Sequence, residues 1–281
     1  MNILITGSNG QLGTEMRTLA ETNAQHRYFF TDVEDLDICN VQAVDGFVNR
    51  HKIDLIVNCA AYTAVDAAEE NRESNDLLNC IAPGHLAGVA KKYGAALIHI
   101  STDYVFDGTG HIPYREDSPT CPATAYGAAK LAGEQLVMER CERAMVIRTS
   151  WLYSTSGNNF LKTMLRLQRE RDSVGVVFDQ IGTPTYAGDL AKAIYTIMEE
   201  EFVPGIYHFS NEGVCSWYDF AVAICRLTNA DCRVNPIHTA DYPAKAARPH
   251  YSVLDKAKIK KTFGLRIPHW EDALAGCLST L

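Results

Sequence analysis

Short apolar runs rich in β-branched residues alternate with segments of helical period along the first half of the chain. The apolar runs predict strands at residues 3–6, 27–31, 55–58, 96–101 and 144–148. The segments between them predict helices at residues 11–21, 41–50, a long stretch ending near 92, and 126–140. Strand–helix alternation of this kind favours an α/β fold with a doubly wound parallel sheet and helices on both faces.

The pattern is less regular in the second half of the chain. It predicts strands at residues 174–178, 205–209 and 233–238, the first of them as one more strand of the large sheet. It predicts helices at residues 189–199, 217–227, 255–263 and 270–278. We therefore expect one domain over residues 1–150, with a return near 174–200, and a smaller, interleaved C-terminal lobe over residues 151–281.

Composition and charge narrow the class of protein. The chain has 47% hydrophobic and 21% charged residues, which is ordinary globular usage. Its formal net charge of -8 at pH 7 opposes nucleic-acid binding, which needs clustered Lys and Arg. Nine cysteines without a C-x-x-C pair or a metal-ligand spacing indicate buried thiols in a reducing compartment. Without a visible signal segment or a membrane-length apolar run, we expect a cytoplasmic protein with no membrane partner.

A glycine-rich segment connects the first predicted strand to the first predicted helix. Gly7, Gly10 and Gly13 follow a G-x-x-G-x-x-G spacing. Glycines at such a junction let the backbone turn tightly, approach a pyrophosphate and pack the helix onto the sheet. The N-terminus of the helix then offers amide donors to the phosphates. The segment predicts a Rossmann-type, dinucleotide-binding domain that takes NADH or NADPH.

Asp32 lies just past the second predicted strand. An acid at this place can bind the 2′-hydroxyl of an adenosine ribose and repels a 2′-phosphate, so it favours NADH over NADPH. Arg17 on the first predicted helix could approach a phosphate, and a turn or helix-capping role is the alternative for Asp32. Both cofactors therefore stay open.

Tyr126 and Lys130 begin a later helix four residues apart, so their side chains share one helix face. A tyrosine phenol has an ordinary pKa of about 10, and a neighbouring ammonium, aided by the positive charge of an oxidised nicotinamide, is expected to lower that pKa. In a reduction, Tyr126 would donate a proton to the developing alkoxide. Thr102, at the end of the preceding predicted strand, would hold the substrate oxygen by a hydrogen bond. Together the three residues predict the catalytic site of an oxidoreductase.

Beyond these motifs, the chain resembles the extended short-chain dehydrogenases/reductases nearly end to end, and within them the dTDP-4-dehydrorhamnose reductases. The Tyr–Lys pair is shared by the whole superfamily. The strings N-C-A-A-Y-T-A-V-D at 58–66, S-T-D-Y-V-F at 101–106 and D-Q-I-G-T-P-T at 179–185 are more specific to the reductase group. The resemblance implies NAD(P)H-dependent reduction of the 4-keto group of dTDP-4-dehydro-L-rhamnose to dTDP-L-rhamnose, a precursor of cell-surface polysaccharide.

The resemblance also implies roles for individual residues. Contact with the cofactor is implied for Gly10, Gln11, Leu12, Asp32, Asp37, Ile38, Ala61, Tyr62 and Thr63, in addition to Gly7, Gly13, Tyr126 and Lys130. Contact with the nucleotide-sugar substrate is implied for Thr102, Asp103, Tyr104, Trp151 and Arg248. Glu15 matches a position associated with magnesium and with a dimer contact in some members, which leaves Mg²⁺ and a homodimer open.

Three of these roles have a structural alternative. Trp151 can be a core aromatic at a strand end, and Arg248 can pair with an acid on the C-terminal lobe instead of a diphosphate. Glu15 can be a surface glutamate in a first helical turn that needs no metal.

Two other functions stay open on the same scaffold. A nucleotide-sugar 4,6-dehydratase has T-D-E where this chain has Thr102, Asp103 and Tyr104, so one carboxyl group is missing, and an epimerase would retain its cofactor. A non-catalytic regulatory protein is the second alternative, because the regulatory subunit of methionine adenosyltransferase resembles this group. The intact Thr102, Tyr126 and Lys130 favour an enzyme.

Overall fold

The computed structural model describes residues 1–23 and 25–281. The strands in this part of the chain are β1 (Asn2–Thr6), β2 (Arg27–Thr31), β3 (Leu55–Asn58), β4 (Ala96–Thr102), β5 (Ala144–Thr149), β6 (Leu152–Tyr153), β7 (Ser173–Val177), β8 (Ile181–Gly182), β9 (Thr185–Tyr186), β10 (Gly205–His208), β11 (Cys215–Ser216) and β12 (Arg233–Ile237). Six of them form one parallel sheet in the order β10-β5-β4-β3-β1-β2. The expected parallel sheet is confirmed.

Helices cover both faces of this sheet and build the second lobe. They are α1 (Gln11–Thr22), α2 (Val41–His51), α3 (Val65–Ala68), α4 (Arg72–Asp76), α5 (Ala82–Tyr93), α6 (Ala125–Arg140), α7 (Phe160–Glu170), α8 (Ala187–Glu199), α9 (Trp217–Leu227), α10 (Ala257–Phe263) and α11 (Trp270–Leu278). A π-helical turn, Leu77–Ile81, joins α4 to α5. Within the described residues, no helix combines the length and the apolarity that crossing a membrane requires.

The apolar runs form strands because both of their faces are covered. Every residue of β3 and β5 is buried. On β1, Ile3 and Ile5 point into a core shared with α1 and α8, whereas Leu4 points into a second core shared with α2 and α5. Burial on both faces explains the nearly continuous apolar sequence of these strands. The two cores confirm the doubly wound arrangement.

The strand near residue 174 was expected in the large sheet, and this was wrong. β7 pairs in parallel with β12 and forms a separate two-stranded sheet of the C-terminal lobe. The large sheet instead continues with β10, which pairs with β5. Leu190 and Ile194 of α8 are buried in the core that α8 shares with β1 and α1. Apolar alternation identifies a strand but does not select its partner. The division into domains at residue 150 stays a prediction.

The C-terminal lobe has its own apolar core. Buried residues of α7, α9 and α11 pack together there, with Leu161, Phe220 and Leu274 fully enclosed. The short pairs β6–β9 and β8–β11 connect this lobe to the end of the large sheet. The lobe is therefore held beside the carboxyl ends of the parallel strands, where an open α/β sheet binds ligands.

Candidate active site

A cleft of about 1080 Å³ lies between the large sheet and the C-terminal lobe. All the predicted cofactor and substrate residues except Gly13 and Arg248 line it. They are Gly7, Gly10, Gln11, Leu12, Asp32, Asp37, Ile38, Ala61, Tyr62, Thr63, Thr102, Asp103, Tyr104, Tyr126, Lys130 and Trp151. These residues come from the segments that follow the parallel strands, from the start of α1 and from α6, so the topology assembles them in one place.

The glycine loop, residues 7–11, forms the wall of the cleft where α1 begins. Gly7 has a φ of +62°, and a Cβ there would lie 2.6 Å from the Ala60 backbone. Gly10 is the residue before α1, and its N–H donates to the Gly7 carbonyl oxygen over 3.1 Å. Gly13 lies behind the loop, where a Cβ would approach the Gly7 carbonyl oxygen to 2.5 Å. Gly13 therefore packs α1 beneath the loop and does not face the cleft.

Replacing Gly13 with Ala is expected to lower the free energy of unfolding by about 1–3 kcal/mol, because the methyl group would overlap rigid backbone atoms. Gly88 is the matched control. It lies exposed in α5, and no atom lies within 4 Å of the place that a methyl group would occupy, so Gly88→Ala should stabilise the protein by about 0.5–1 kcal/mol. Denaturant unfolding measures both values, and a stabilising Gly13→Ala would contradict the close packing.

Asp32 is tied to the glycine loop. Its carboxylate accepts hydrogen bonds from the backbone N–H of Asn9 and of Val33, each over 2.9 Å. Arg17, for which the sequence allows an approach to a phosphate, donates instead to the Ser8 hydroxyl over 3.0 Å and stacks on Phe30. Asp32 therefore lines the cleft with a negative charge, and Arg17 is held outside its lining.

Thr102, Tyr126 and Lys130 meet where β4 ends and α6 begins. The Thr102 hydroxyl donates to Asp103 over 3.0 Å and accepts the Tyr104 backbone N–H over 3.2 Å. The Thr124 side chain caps α6 by accepting the Gly127 N–H, which places Tyr126 and Lys130 in the first turns. Both side chains are at least nine-tenths buried and line the cleft.

The protonation of this pair differs from the expectation in one respect. Burial raises the pKa of Tyr126 to about 12, although a hydrogen bond with Thr102 works in the opposite direction. The lowering expected from the ammonium is not seen, because burial is the largest influence on the pKa of this phenol and Lys130 is not among the groups that shift it. Burial also lowers the pKa of Lys130 to about 8, against the opposing influence of the Glu134 carboxylate. At neutral pH the phenol of Tyr126 therefore keeps its proton.

Asp103 and Tyr104 line the cleft beside this pair. Burial raises the pKa of the Asp103 carboxyl to about 6, against hydrogen bonds with Ser252 and Thr102. Its Oδ2 atom has no hydrogen-bond partner within the described part of the chain. The Tyr104 ring meets the Tyr126 ring edge-on, with 5.6 Å between the centroids. This part of the cleft is thus lined by one carboxyl group and two phenols.

Trp151 is held in a fixed position by an aromatic partner that sequence reasoning missed. Its φ is +48°, and its indole stacks on Trp217 with 3.6 Å between the centroids and 11° between the planes. A side chain at Gly182 would overlap this indole, since a Cβ there would lie 2.7 Å from it. Trp217 also lines the cleft. No spacing in the sequence brings the two tryptophans together, so only the fold identifies Trp217.

Asn159 is a second residue of the cleft that received no predicted role. Its side-chain N–H donates to Gln11 over 2.8 Å and to the Ser154 carbonyl oxygen over 2.8 Å. Its side-chain oxygen caps α7 by accepting the Lys162 N–H. The string G-N-N-F at 157–160 was the available signal. Asn159 links the glycine loop to the C-terminal lobe.

Arg248 lies at the edge of the site and outside the cleft lining. Its Nη2 atom donates to the Asp66 carboxylate over 2.6 Å, and Asp66 also accepts the backbone N–H of Ala246 over 2.9 Å. Arg248 thus pairs with an acid of the first half of the chain, not with one of the C-terminal lobe. Its Nη1 atom is buried and has no partner among residues 1–23 and 25–281. A contact of Arg248 with the substrate stays a prediction.

Glu15 lies at the contact of α1 with α8. Burial raises the pKa of its carboxyl, and Lys192 and Asp189 are the charged groups that act on it. In the described residues, no group of three or more His, Cys, Asp or Glu side chains is placed to hold a metal ion. The surroundings of Glu15 give the magnesium prediction no support.

Similarity to known proteins extends over the whole chain. The family model of the RmlD substrate binding domain matches residues 1–281. A dTDP-4-dehydrorhamnose reductase of Aggregatibacter actinomycetemcomitans is 42% identical, over 97% of this chain and 96% of the relative. The solved dTDP-4-dehydrorhamnose reductase of Clostridium acetobutylicum has a TM-score of 0.96 at 42% identity, covering 100% of this chain and 99% of that one. The Bacillus anthracis enzyme, solved in complex with NADP, has a TM-score of 0.96 at 39% identity with the same coverage. The chain therefore belongs to the RmlD substrate binding domain family, together with these dTDP-4-dehydrorhamnose reductases.

Proposed function

We propose that this protein reduces the 4-keto group of dTDP-4-dehydro-L-rhamnose to dTDP-L-rhamnose with NADH or NADPH. The observation that carries the proposal is one cleft that is lined both by the glycine loop and by the pair Tyr126–Lys130. The names of the relatives supply the substrate, and the bound NADP of the Bacillus anthracis relative supports a nicotinamide cofactor.

The residues around the glycine loop fit a dinucleotide. Gly7 leaves the space that a Cβ would fill against Ala60, and the backbone N–H groups at the start of α1 are available to a pyrophosphate. Asp32 is placed to hold the adenosine ribose, Asp37 and Ile38 to flank the adenine, and Ala61, Tyr62 and Thr63 to line the path toward α6. When bound, the nicotinamide supplies the hydride.

Tyr126 supplies the proton in this proposal. Because burial keeps its pKa near 12, the phenol is protonated at the pH of the reaction and can donate to the alkoxide oxygen that develops on C4. The Thr102 hydroxyl lies next to it and orients the same oxygen by a hydrogen bond. Asp103, Tyr104 and the Trp151 indole hold the sugar nucleotide in place.

The two halves of the chain divide the binding work. We assign the dinucleotide to residues 1–150 together with β10, which completes the large sheet, and α8, which packs against that sheet. We assign the nucleotide sugar mainly to the remaining lobe of residues 151–281. Burial raises the pKa of the Tyr104 phenol, and the Arg248 guanidinium is close enough to oppose that shift, so it can reach a diphosphate at that edge of the cleft. A homodimer, a cytoplasmic location and the lack of a nucleic-acid partner stay predictions from the sequence.

An absorbance assay at the reduced-nicotinamide band tests the proposal. Purified protein, dTDP-4-dehydro-L-rhamnose and either NADH or NADPH should give oxidation of the cofactor that needs both the sugar and the protein. Lack of oxidation with any nucleotide-linked keto sugar would favour the regulatory binding protein. Tightly co-purified NAD that survives turnover would favour an epimerase.

Replacing Asp32 with Asn is expected to raise the ratio of kcat/KM for NADPH to that for NADH by about tenfold, which corresponds to about 1.4 kcal/mol. The amide oxygen can still accept the Asn9 N–H, but the negative charge that repels a 2′-phosphate is removed. Glu34→Gln is the control, because Glu34 is exposed nearby and outside the cleft lining. An equal change in both variants would mean that the general charge of this surface, not Asp32, sets the preference.

A further inference from the structure

A buried chain of polar side chains leads from the centre of the sheet to Lys130. Thr6, Asn58 and His99 are neighbours in the register of β1, β3 and β4; Thr6 and Asn58 end their strands, and His99 lies in the middle of β4. Thr6 donates to Asn58 over 2.7 Å, Asn58 contacts His99 over 3.0 Å, and His99 lies 3.4 Å from the Lys130 amine. All four side chains are at most 1% exposed. Such a fully enclosed polar chain has few alternative arrangements.

The orientation of the Asn58 amide follows from its backbone neighbour. Its side-chain oxygen lies 3.2 Å from the Ala60 backbone nitrogen, which can only donate a hydrogen bond. The oxygen of Asn58 therefore faces Ala60 and Thr6, and its amino group faces Nδ1 of His99 over 3.0 Å. Nδ1 of His99 must accept this bond.

The acceptor role of Nδ1 fixes the proton of the imidazole on Nε2. Burial, with the nearby Lys130, lowers the pKa of His99 well below its usual range, so the ring is neutral and carries one N–H. That N–H points at Nζ of Lys130, 3.4 Å away. A lysine ammonium has only donors, whereas a neutral amine can accept from Nε2–H while it donates to the Ile100 carbonyl oxygen over 2.6 Å.

We propose that His99 is a positioning residue for Lys130: Asn58 holds its imidazole in the Nε2–H form, and this N–H fixes the amine and eases the loss of its proton. The proposal rests on the proposed function, in which Lys130 accompanies the acid Tyr126. It adds that the protonation of Lys130 is controlled by buried side chains of β1, β3 and β4 that lie outside the substrate site. The reduction is then expected to slow as the pH rises through the range in which Lys130 loses its charge.

The other charged groups around Lys130 do not replace this effect. Glu134 on α6 favours the ammonium, but its carboxylate is also held by two nitrogens of Arg148 on β5. Burial raises the pKa of Asp103, directly after β4, to about 6, and Asp103 acts on Tyr126. The Cys59 thiol after β3 is neutral, because burial raises its pKa to about 12. His99 is thus the neighbour that presents a donor to the amine.

Nuclear magnetic resonance of the whole protein tests the proposal without turnover. Histidine labelled with ¹⁵N reports which ring nitrogen carries the proton, and lysine labelled with ¹³C at Cε reports the titration of Lys130. Lys130→Met identifies the lysine signal, and His99→Gln identifies the histidine signal. We expect a proton on Nε2 of His99 and a midpoint near 8 for Lys130. A proton on Nδ1 in the unaltered protein would overturn the proposal.

Asn58→Asp is the decisive variant. A carboxylate at this position accepts from Nδ1–H, so the ring should reverse its proton and turn Nε2 into an acceptor for the Lys130 ammonium. The midpoint of Lys130 should then rise by at least about one unit, and the alkaline limit of kcat/KM should rise with it. His99→Gln is the matched control, since its amide oxygen can face Asn58 while its N–H faces Lys130, and it should keep the original midpoint.

The outcomes separate this inference from the proposed function. A reversed ring proton without a change in the Lys130 midpoint would overturn the role of His99, whatever the activity. A protein with the expected resonance results but no reductase activity would contradict only the proposed function. If Asn58→Asp does not fold, the ring proton of the unaltered protein still decides the question, because a proton on Nδ1 of His99 would overturn the proposal.

Discussion

Replacing Tyr126 with Phe is expected to lower kcat by about 10³-fold while the affinity for the nicotinamide cofactor stays nearly unchanged. The variant loses only a hydroxyl, and the ring keeps its edge-on contact with Tyr104 at 5.6 Å between the centroids. Because the pKa of Tyr126 is raised to about 12, that hydroxyl holds a proton throughout the neutral range, as the proposed donor to the alkoxide must. Steady-state kinetics and fluorescence titration with the reduced cofactor measure the two quantities.

Tyr104→Phe is the control for this result. It removes a second phenol from the same cleft, but one that is assigned to holding the substrate. We expect its main effect on KM, with kcat lowered by less than about tenfold. Near-normal kcat in Tyr126→Phe would falsify the assignment of the acid. An equal loss of kcat in both variants would mean that the phenols act in binding.

The core of the fold was predictable from the sequence because its signals are local. β1, β3 and β5 are continuous apolar runs, and the glycine loop directly follows the first of them. The partner of β7 was not predictable, since its alternation is compatible with the large sheet and with the small sheet of the second lobe. The choice depends on long-range packing of α7 and α9, which no window of sequence contains.

Local sequence signals also predict only part of the candidate site. Tyr126 and Lys130 were identified by their spacing on one helix, and the cleft lining agrees with most of the residues that the resemblance implied. The direction of the Tyr126 pKa was missed because burial is a property of the fold, and the contact of Trp151 with Trp217 because the two lie far apart in sequence. The role of His99 was hidden in an apolar run, where a histidine reads as part of the core.

Replacing Glu134 with Ala is expected to lower the free energy of unfolding by about 3–5 kcal/mol. Its carboxylate accepts from Nη2 of Arg148 over 2.7 Å and from Nε over 3.0 Å, and both side chains are at most 3% exposed. Without the carboxylate, the guanidinium would remain in the core as an unpaired charge. Its Nη1 atom already has no hydrogen-bond partner in the described residues. Denaturant unfolding followed by circular dichroism measures the loss.

The same substitution should also change the pH dependence of the proposed reaction. Glu134 follows Tyr126 and Lys130 at intervals of four residues, so the three side chains share one face of α6. The Glu134 carboxylate favours the ammonium form and so raises the pKa of Lys130. Its removal is expected to lower that pKa, and the alkaline limit of kcat/KM should move to lower pH. An unchanged limit would mean that Lys130 does not govern it.

Two further variants separate the effect of the buried charge from the general effect of shortening a side chain on α6. Glu139→Ala lies exposed on the same helix and should change the free energy of unfolding by less than about 0.5 kcal/mol. The double variant Glu134→Met, Arg148→Met removes both charges and keeps much of the buried volume, so it should be more stable than Glu134→Ala. If the double variant instead loses as much free energy of unfolding as the single variants Glu134→Met and Arg148→Met added together, packing of these side chains, and not their pairing, stabilises the protein.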